Sequence, residues 1–243
     1  MIKQGLSSNG IKLIAIVAMT IDHLAWLFFP GYSTDPIALI MHVIGRLTAP
    51  IMMFFIVEGY FRTSNVKSYI LRLLVLAVIS HFAYALMFHK NFIPLQNTVF
   101  DQTSVIWAFL MGLIALTIAK SDNPALKQWH KTVLVWICLF AAFPADWSMP
   151  AAVAILYMGQ NRGSFKRQAL WFLLWMAMYS IVYAIFLDPL YGLLQMCTAL
   201  AIPLWRMYNG ERGRWKGMKW FFYIYYPAHL ALLGMIGICF LGR

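Results

Sequence analysis

The run GIKLIAIVAMTIDHLAWLFF at residues 10–29 decides the fold class of this chain. An almost unbroken apolar run of about twenty residues is long enough to cross the hydrocarbon core of a bilayer as an α-helix. Asp22 and His23 lie inside it, and polar side chains at that depth normally face a protein interior or a wet cavity. The run is too long for a signal peptide and is followed by no small-residue cleavage site. It therefore predicts a retained transmembrane helix.

Helical spacing puts the two polar residues of this helix on different faces. Ala15, Ala18, Asp22 and Ala25 fall on one side, where small side chains allow a neighbouring helix to approach closely. His23 lies about 100° further round the helix. We therefore expect Asp22 and His23 to meet partners on other helices rather than each other.

Composition extends this prediction to the whole chain. Of its 243 residues, 62% are hydrophobic and 11% are charged, whereas a soluble domain is about half apolar and a quarter charged. We predict an all-α, polytopic membrane helical bundle that forms a single domain over residues 1–243. The candidate crossings lie at about 11–29, 37–60, 68–88, 104–119, 132–143, 149–159, 169–187, 189–205 and 220–241. The fifth and sixth are too short to span alone, so the predicted count is about nine, within a range of eight to ten.

Lysine and arginine are distributed unequally between alternate loops. Of the 19 such residues, all but four fall in the N-terminal segment and in every second loop, whereas Lys90 and Arg243 fall in the opposite set. The positive-inside rule therefore predicts a cytoplasmic N-terminus in a multi-pass protein of the bacterial inner membrane. The rule also accounts for the net charge of +11, so we expect no nucleic-acid partner. The 3 cysteines lie in apolar runs without metal-ligand spacing, so neither a metal site nor a disulfide is predicted.

Four polar groups are expected at similar depth in this topology. At a rise of about 1.5 Å per residue, His23 and His81 lie roughly 18 Å and 20 Å from the cytoplasmic starts of their helices. Arg46 enters from the other side and lies roughly 14 Å in, and His229 also falls near the midplane. A buried group of titratable side chains from several helices indicates a functional site.

The second predicted crossing carries its own pattern. His42 and Arg46 share a face at i,i+4 spacing. Pro50 has no N–H to donate, which frees the carbonyl of Arg46 and predicts a kink there. Glu58 and Arg62 are also spaced i,i+4, in the order that favours an ion pair at the end of a helix.

These residues resemble the TraX family of integral membrane proteins over residues 10 to 240. The resemblance rests on Asp22-His23, on IGRLTAPIMMFFIVEGYFRTSNVKSYILRLL in the second and third crossings, and on YNGERGRWKGMKWFFYIYYPAHLALLG near the end. It implies an association with conjugation and with N-terminal acetylation of pilin. A more remote resemblance is to transmembrane acyltransferases, in which a first-helix histidine serves in acyl transfer from acyl-CoA; His23 is the matching residue here.

The expected activity is therefore transfer of an acetyl or other acyl group from cytosolic acetyl-CoA to an acceptor protein or glycan, with pilin as one candidate. Such a transfer needs a base for the nucleophile and donors for the developing oxyanion. His23 is the candidate general base. Arg46 is expected to anchor an anion or stabilise the oxyanion, His229 to share either role, and Asp22 to orient a partner or bind an ammonium group.

Two further sets of residues are assigned to substrates. A basic loop between the last two predicted crossings is expected to bind the phosphates of coenzyme A through Arg206, Arg212, Arg214, Lys216 and Lys219. His81 and Asp146 are the candidates for contacts with the acceptor.

Each assignment has a structural alternative. His23, Asp22 and Arg46 are also explained as polar contacts that hold membrane helices together, and the basic loop as a determinant of topology alone. Two other functions stay open on the sequence: a non-catalytic assembly factor for a pilus or envelope machine, and a proton-coupled transporter. Inverted repeats would favour the transporter, and no internal repeat is visible in the sequence.

Overall fold

The computed structural model describes residues 5–93 and 102–242, and these residues form an all-helical protein. Only isolated backbone bridges, and no β-strands, occur in this part of the chain. The prediction of an all-α fold is confirmed. The helices are α1 Ser8–Phe28, α2 Pro36–Gly45, α3 Thr48–Arg62, α4 Val66–Met87, α5 Val105–Ala119, α6 Gln128–Ala141, α7 Ser148–Gln160, α8 Phe165–Phe186, α9 Pro189–Leu194, α10 Ile202–Arg206 and α11 Met218–Leu241, with a 3₁₀ segment at Gln195–Ala201 between α9 and α10.

Within the described residues, five helical segments are long and apolar enough to cross a membrane: α1, the combined segment of α2 and α3, α4, α8 and α11. Several of the other helices are too short, since α5, α6 and α7 have 15, 14 and 13 residues, whereas a span needs about twenty. The predicted count of about nine spans is therefore not confirmed. The two short segments predicted around residues 132–159 are the separate helices α6 and α7.

The predicted crossing at 189–205 is helical but is not one α-helix. Its middle changes to 3₁₀ geometry, and the hydroxyl of Thr198 donates to the carbonyl of Gln195 at 2.7 Å. Pro203 lies in the first turn of α10 and has no N–H to donate. Side-chain competition for a carbonyl and a missing donor both weaken the regular α-helical pattern.

Helix α1 begins at a capping residue and buries the predicted small face. The hydroxyl of Ser7 accepts from the backbone N–H of Gly10, as an N-cap serine does. Ala15 and Ala25 are fully buried and Ala18 is 2% exposed, so the small face of α1 is packed as predicted.

The predicted second crossing is interrupted between α2 and α3. Arg46 and Leu47 form a turn, and Pro50 lies in the first turn of α3, where its missing N–H leaves the carbonyl of Arg46 without its helical donor. The predicted kink is confirmed. Just before the turn, a Cβ at Gly45 would overlap the Asp22 side chain, so the close approach of α1 and α2 requires glycine there.

The chain divides into two compact units, residues 1–55 with 176–243 and residues 56–175. The prediction of a single domain stays a prediction. The first unit contains α1, α2, the 3₁₀ segment and α11. In the second unit α5 packs on α6 and α7; Gly112 of α5 lies against the Ala152 backbone, and the Trp107 indole donates to the Ala141 carbonyl at 2.7 Å.

The predicted ion pair of Glu58 and Arg62 is present in the second unit. The Nε of Arg62 donates to Glu58 Oε2 at 3.1 Å. Arg162, from the turn after α7, donates to the other oxygen at 3.0 Å. The carboxylate of Glu58 thus has a second arginine partner that sequence spacing did not predict.

Candidate functional site

Asp22 is held by two cationic or donor side chains of the α2 region. Its Oδ1 accepts from His42 Nδ1 at 2.9 Å and from Arg46 Nη2 at 3.0 Å. Arg46 Nη2 also approaches Oδ2 at 3.3 Å. The Asp22 side chain is 13% exposed, that of Arg46 is 10% and that of His42 is 0%, so the group is enclosed by protein. A carboxylate this deep is stable only with such partners.

Arg46 connects three parts of the first unit. Besides Asp22 on α1, its Nε donates to the His42 carbonyl at 3.3 Å and its Nη1 to Gln195 Oε1 at 3.0 Å. Gln195 is 1% exposed and begins the 3₁₀ segment. The only sequence signal for Gln195 was a polar residue in the apolar crossing 189–205, and sequence reasoning missed it.

His23 faces α11 rather than α2. Its Nδ1 lies 2.6 Å from His229 Nε2, and the two rings stack with centroids 4.9 Å apart. His229 Nδ1 in turn lies 2.9 Å from the Tyr225 carbonyl, one helical turn earlier. The expectation that Asp22 and His23 meet partners on different helices is therefore met.

These contacts define the proton positions in a neutral histidine pair. A carbonyl only accepts, so His229 carries its proton on Nδ1 and its Nε2 is an acceptor. His23 must then donate from Nδ1, and its Nε2 carries the lone pair. A base that receives a proton at Nε2 can share the resulting charge with His229 across the 2.6 Å contact.

The hydroxyl of Tyr225 adds a further contact between α1 and α11. Thr20 Oγ1 donates to the Ile16 carbonyl at 2.9 Å, and it lies 2.7 Å from Tyr225 Oη. Because the threonine proton is already committed, Tyr225 is the donor of this bond. The Tyr225 ring stacks on His229 with an interplanar angle of 11° and so supports the orientation of the imidazole.

His81 and Asp146 belong to the second unit. His81 Nε2 donates to the Phe92 carbonyl at 2.8 Å. The backbone N–H of Asp146 donates to the Thr103 carbonyl at 2.8 Å, next to the turn between α6 and α7. Their assignment to the acceptor stays a prediction.

The basic loop is ordered against the N-terminal end of α1. Backbone bonds join Leu6 to Met207 at 2.8 Å, and Ser8 to Glu211 at 2.8 Å. The side chain of Asn9 donates to the Trp215 carbonyl at 2.7 Å. The first N–H groups of α1 are thereby used within the protein. The exposed cations of the loop are Arg206, Arg212, Arg214 and Lys216, and the half-buried Lys219 lies over the Trp220 ring.

Over residues 5–93 and 102–242, no group of three or more histidine, cysteine, aspartate or glutamate side chains is arranged to hold a metal ion. The cluster around Asp22 is a hydrogen-bonded group of side chains.

The structure is therefore that of an all-helical membrane protein with a buried cluster of histidine, aspartate and arginine side chains. The chain belongs to the TraX family, whose family model, described as TraX protein, matches residues 7–237. The chain is also similar to the "Probable fimbrial assembly protein FimC, serogroup H1" of Dichelobacter nodosus, with 34% identity over 235 residues, 93% of this chain and 94% of that protein. No solved structure matches the chain. The resemblance drawn from the sequence motifs is confirmed.

Proposed function

We propose that this TraX-family protein is a membrane-embedded acetyltransferase that moves an acetyl group from cytosolic acetyl-CoA to an amine acceptor, with the N-terminal amine of a pilin as the favoured case. The observation that carries this proposal is the His23–His229 pair, with 2.6 Å between the ring nitrogens and His229 bonded to the Tyr225 carbonyl. This arrangement supports a role for His23 Nε2 as general base.

The reaction balances without another reactant. The lone pair of a neutral acceptor amine forms a bond to the thioester carbonyl carbon, and the carbon–sulfur bond breaks. The proton lost by the nitrogen passes to His23 Nε2 and then to the departing thiolate, so the products are the acetyl amide and coenzyme A. His229 shares the transient positive charge of His23 through their hydrogen bond.

Asp22 and Arg46 serve mainly as positioning residues in this proposal. The guanidinium is bonded to Asp22, to the Gln195 amide and to the His42 carbonyl. Those bonds support a role in holding α1 against α2 at the depth of His23. The oxyanion role expected for Arg46 from the sequence is supported less, because each of its three guanidinium nitrogens already donates to an acceptor within the protein.

Acetyl-CoA is the proposed donor substrate, and the exposed cations of the 206–216 loop are the proposed contacts for its phosphates. Arginine forks match phosphate oxygens geometrically, and Arg206, Arg212 and Arg214 are exposed. This assignment goes with a cytoplasmic N-terminus in the bacterial inner membrane, as the positive-inside rule predicts. The pantetheine arm would then extend between helices toward His23.

Pilin is the favoured acceptor because the similar protein from Dichelobacter nodosus is named as a fimbrial assembly protein. That name supports a substrate or partner from a fimbrial system. An N-terminal amine fits the chemistry of a buried base, since it becomes nucleophilic once it loses a proton.

A non-catalytic assembly factor is the second candidate function. It is favoured by the closed set of bonds among Asp22, His42, Arg46 and Gln195, which resembles the polar contacts that hold membrane helices together. The two candidates differ in what they require of His23.

Acetyl-CoA binding and turnover by the purified protein test the proposal. The wild type is compared with His23→Ala and with the control His89→Asn, which alters an exposed histidine in a positive-φ position that asparagine tolerates. We expect acetyl transfer to a peptide with a free N-terminus, and loss of that transfer in His23→Ala alone. Equal transfer by both variants would overturn the role of His23. Absence of acetyl-CoA binding by the wild type would favour the assembly factor.

A further inference from the structure

His42 presents a buried nitrogen that lacks a partner among the described residues. The imidazole is fully buried, and its Nδ1 donates to the Asp22 carboxylate at 2.9 Å. Its Nε2 is buried and has no hydrogen-bond partner within residues 5–93 and 102–242. A neutral ring presents a lone pair there and a protonated ring presents an N–H, so either form needs a partner. Such an orphan atom in a protein interior calls for an explanation.

Aromatic rings pack against the His42 imidazole. The ring centroids of Trp26 and Tyr191 lie 4.6 Å and 5.2 Å from that of His42. Tyr32 contacts both rings, with centroids 6.3 Å from Trp26 and 4.9 Å from Tyr191. Tyr32 is 42% exposed. The rings therefore form a continuous aromatic path from an exposed edge of the first unit to His42.

The three groups together match one kind of ligand. The lone pair of Nε2 accepts a hydrogen bond, the faces of tryptophan and tyrosine attract a cation, and the Asp22 carboxylate stabilises positive charge on His42. A primary ammonium group supplies both the N–H donor and the charge. While His42 is neutral, a carboxylate or phosphate group would meet a lone pair and the negative faces of the rings, and would be repelled.

We propose that His42 and the rings of Trp26, Tyr32 and Tyr191 form the subsite that binds the acceptor as an ammonium ion and removes its first proton. The ammonium donates to His42 Nε2 and transfers one proton there, which leaves a neutral amine and an imidazolium paired with Asp22. The second nitrogen proton passes to His23 during acyl transfer, and the His42 proton is later released to water. A turn of the Trp26 or Tyr191 ring opens the path. This inference rests on the proposed acetyl transfer.

The contact with Asp22 also fixes the orientation of the His42 ring. In a serine hydrolase triad a carboxylate fixes the histidine tautomer so that Nε2 faces the reacting group. Asp22 stands in the same relation to His42, because it accepts from Nδ1. His23 and His42 are thus oriented by different partners, a histidine on α11 in one case and a carboxylate on α1 in the other.

Two substitutions separate the binding role of His42 from its packing role. In His42→Asn, the amide nitrogen takes the place of Nδ1 and keeps the bond to Asp22, but nothing replaces Nε2. In His42→Gln, the amide oxygen takes the place of Nε2 and the bond to Asp22 is lost. The probes are a short peptide with a free N-terminal amine, the same peptide N-acetylated, and a methyl glycoside as a hydroxyl acceptor.

The first readout does not depend on activity. In the full-length protein labelled with ¹⁵N-histidine, the Nε2 resonance of His42 is identified by its loss in His42→Asn. We expect the free-amine peptide, and neither of the other probes, to shift that resonance in the wild type. The second readout is the KM for the peptide. We expect it to rise about ten-fold or more in His42→Asn, because one hydrogen bond to a charged group contributes about that factor to binding. The KM for acetyl-CoA should stay unchanged.

The outcomes distinguish this subsite from the proposed function. An unshifted His42 resonance, or a wild-type KM in His42→Asn, overturns the subsite even where acetyl transfer occurs. A shift caused by the glycoside instead overturns the assignment to an amine. A shift by the free-amine peptide without acetyl transfer supports the subsite and overturns the acetyltransferase. If His42→Asn does not fold, the His42 resonance is identified by its loss in His42→Gln, and the comparison of the three probes on the wild type still decides the question.

Discussion

Two carboxylates, one in each unit, form ion pairs that differ in how far their cationic partners are exposed to water. Glu58 is bonded by Arg62 and Arg162, whose side chains are 47% and 37% exposed. Asp22 is bonded by Arg46 and His42, whose side chains are 10% and 0% exposed. The Glu58 side chain is 11% exposed, about as buried as that of Asp22, but its arginine partners are open to water, which screens their charges.

The Asp22 cluster has no such screening. Each charge there depends on its protein partners, because taking an ion out of water costs more than a single contact returns. A histidine in such a place gains a fixed orientation, and this is what a base or a binding group needs. The difference is consistent with a structural role for the Glu58 cluster and with the site role proposed above for the Asp22 cluster.

Asp22→Ala should have the largest effect on stability. It leaves the Arg46 guanidinium buried without its carboxylate, and breaking a buried pair in this way costs about 3–5 kcal/mol in the free energy of unfolding. Thermal unfolding in one detergent measures the loss. The double variant Asp22→Leu with Arg46→Met should recover much of it, since a matched apolar pair leaves no charge buried. A cost within about 1 kcal/mol for Asp22→Ala would make this cluster equivalent to a surface pair.

His229→Phe should lower kcat for acetyl transfer by about 10²-fold, the lower range for losing one acid–base element, with little change in KM. The substitution keeps an aromatic ring beside Tyr225 but removes the acceptor for the His23 Nδ1 proton. His229→Gln, which can accept that hydrogen bond through its amide oxygen, should restore part of the rate. A rate in His229→Phe equal to or above that in His229→Gln would overturn the acceptor role of His229.

Gly45→Ala should destabilise the protein by about 1–3 kcal/mol, as inserted atoms do in a packed interior. The new Cβ overlaps Asp22 and forces α1 away from α2. The matched control is Gly10→Ala, a helical position where a Cβ meets only the Ser7 hydroxyl at 3.8 Å. Gly10→Ala should be stabilising by about 0.4–1 kcal/mol. Thermal unfolding of both variants against the wild type checks the difference.

Glu58→Gln should have the smallest effect, about 1 kcal/mol or less in the free energy of unfolding, because its arginine partners remain hydrated. Added salt should reduce even that difference. A loss as large as that of Asp22→Ala, or no response to salt, would contradict the contrast between the two clusters.

Local rules predicted much of the fold and part of the site. The apolar run of α1, its alanine face and the break before Pro50 follow from helix geometry and from the missing N–H of proline. The same geometry predicted that Asp22 and His23 face different helices. The predicted count of about nine spans is not confirmed. Its fifth and sixth segments, which the sequence already marked as too short, are the helices α6 and α7 of 14 and 13 residues, and α5 has only 15.

Those local rules did not predict which helices pack together or how each helix is rotated about its axis. Gln195 is one polar residue in an apolar run, and only its contact with Arg46 reveals its role. Likewise, i,i+4 spacing paired His42 with Arg46 but could not show that Asp22 would accept from both. Partners distant in sequence are chosen by tertiary packing, which spacing along one helix does not encode.

The sequence was enough to identify an all-helical membrane protein with polar residues inside its first helix, because apolar run length and helical periodicity are local properties. The TraX family followed from the motifs of the sequence rather than from those local properties. Only the tertiary structure decided that His23 pairs with His229 while His42 pairs with Asp22. Those contacts join residues separated by 206 and 20 positions, and the orientation of each imidazole depends on which partner the packed helices bring to its Nδ1.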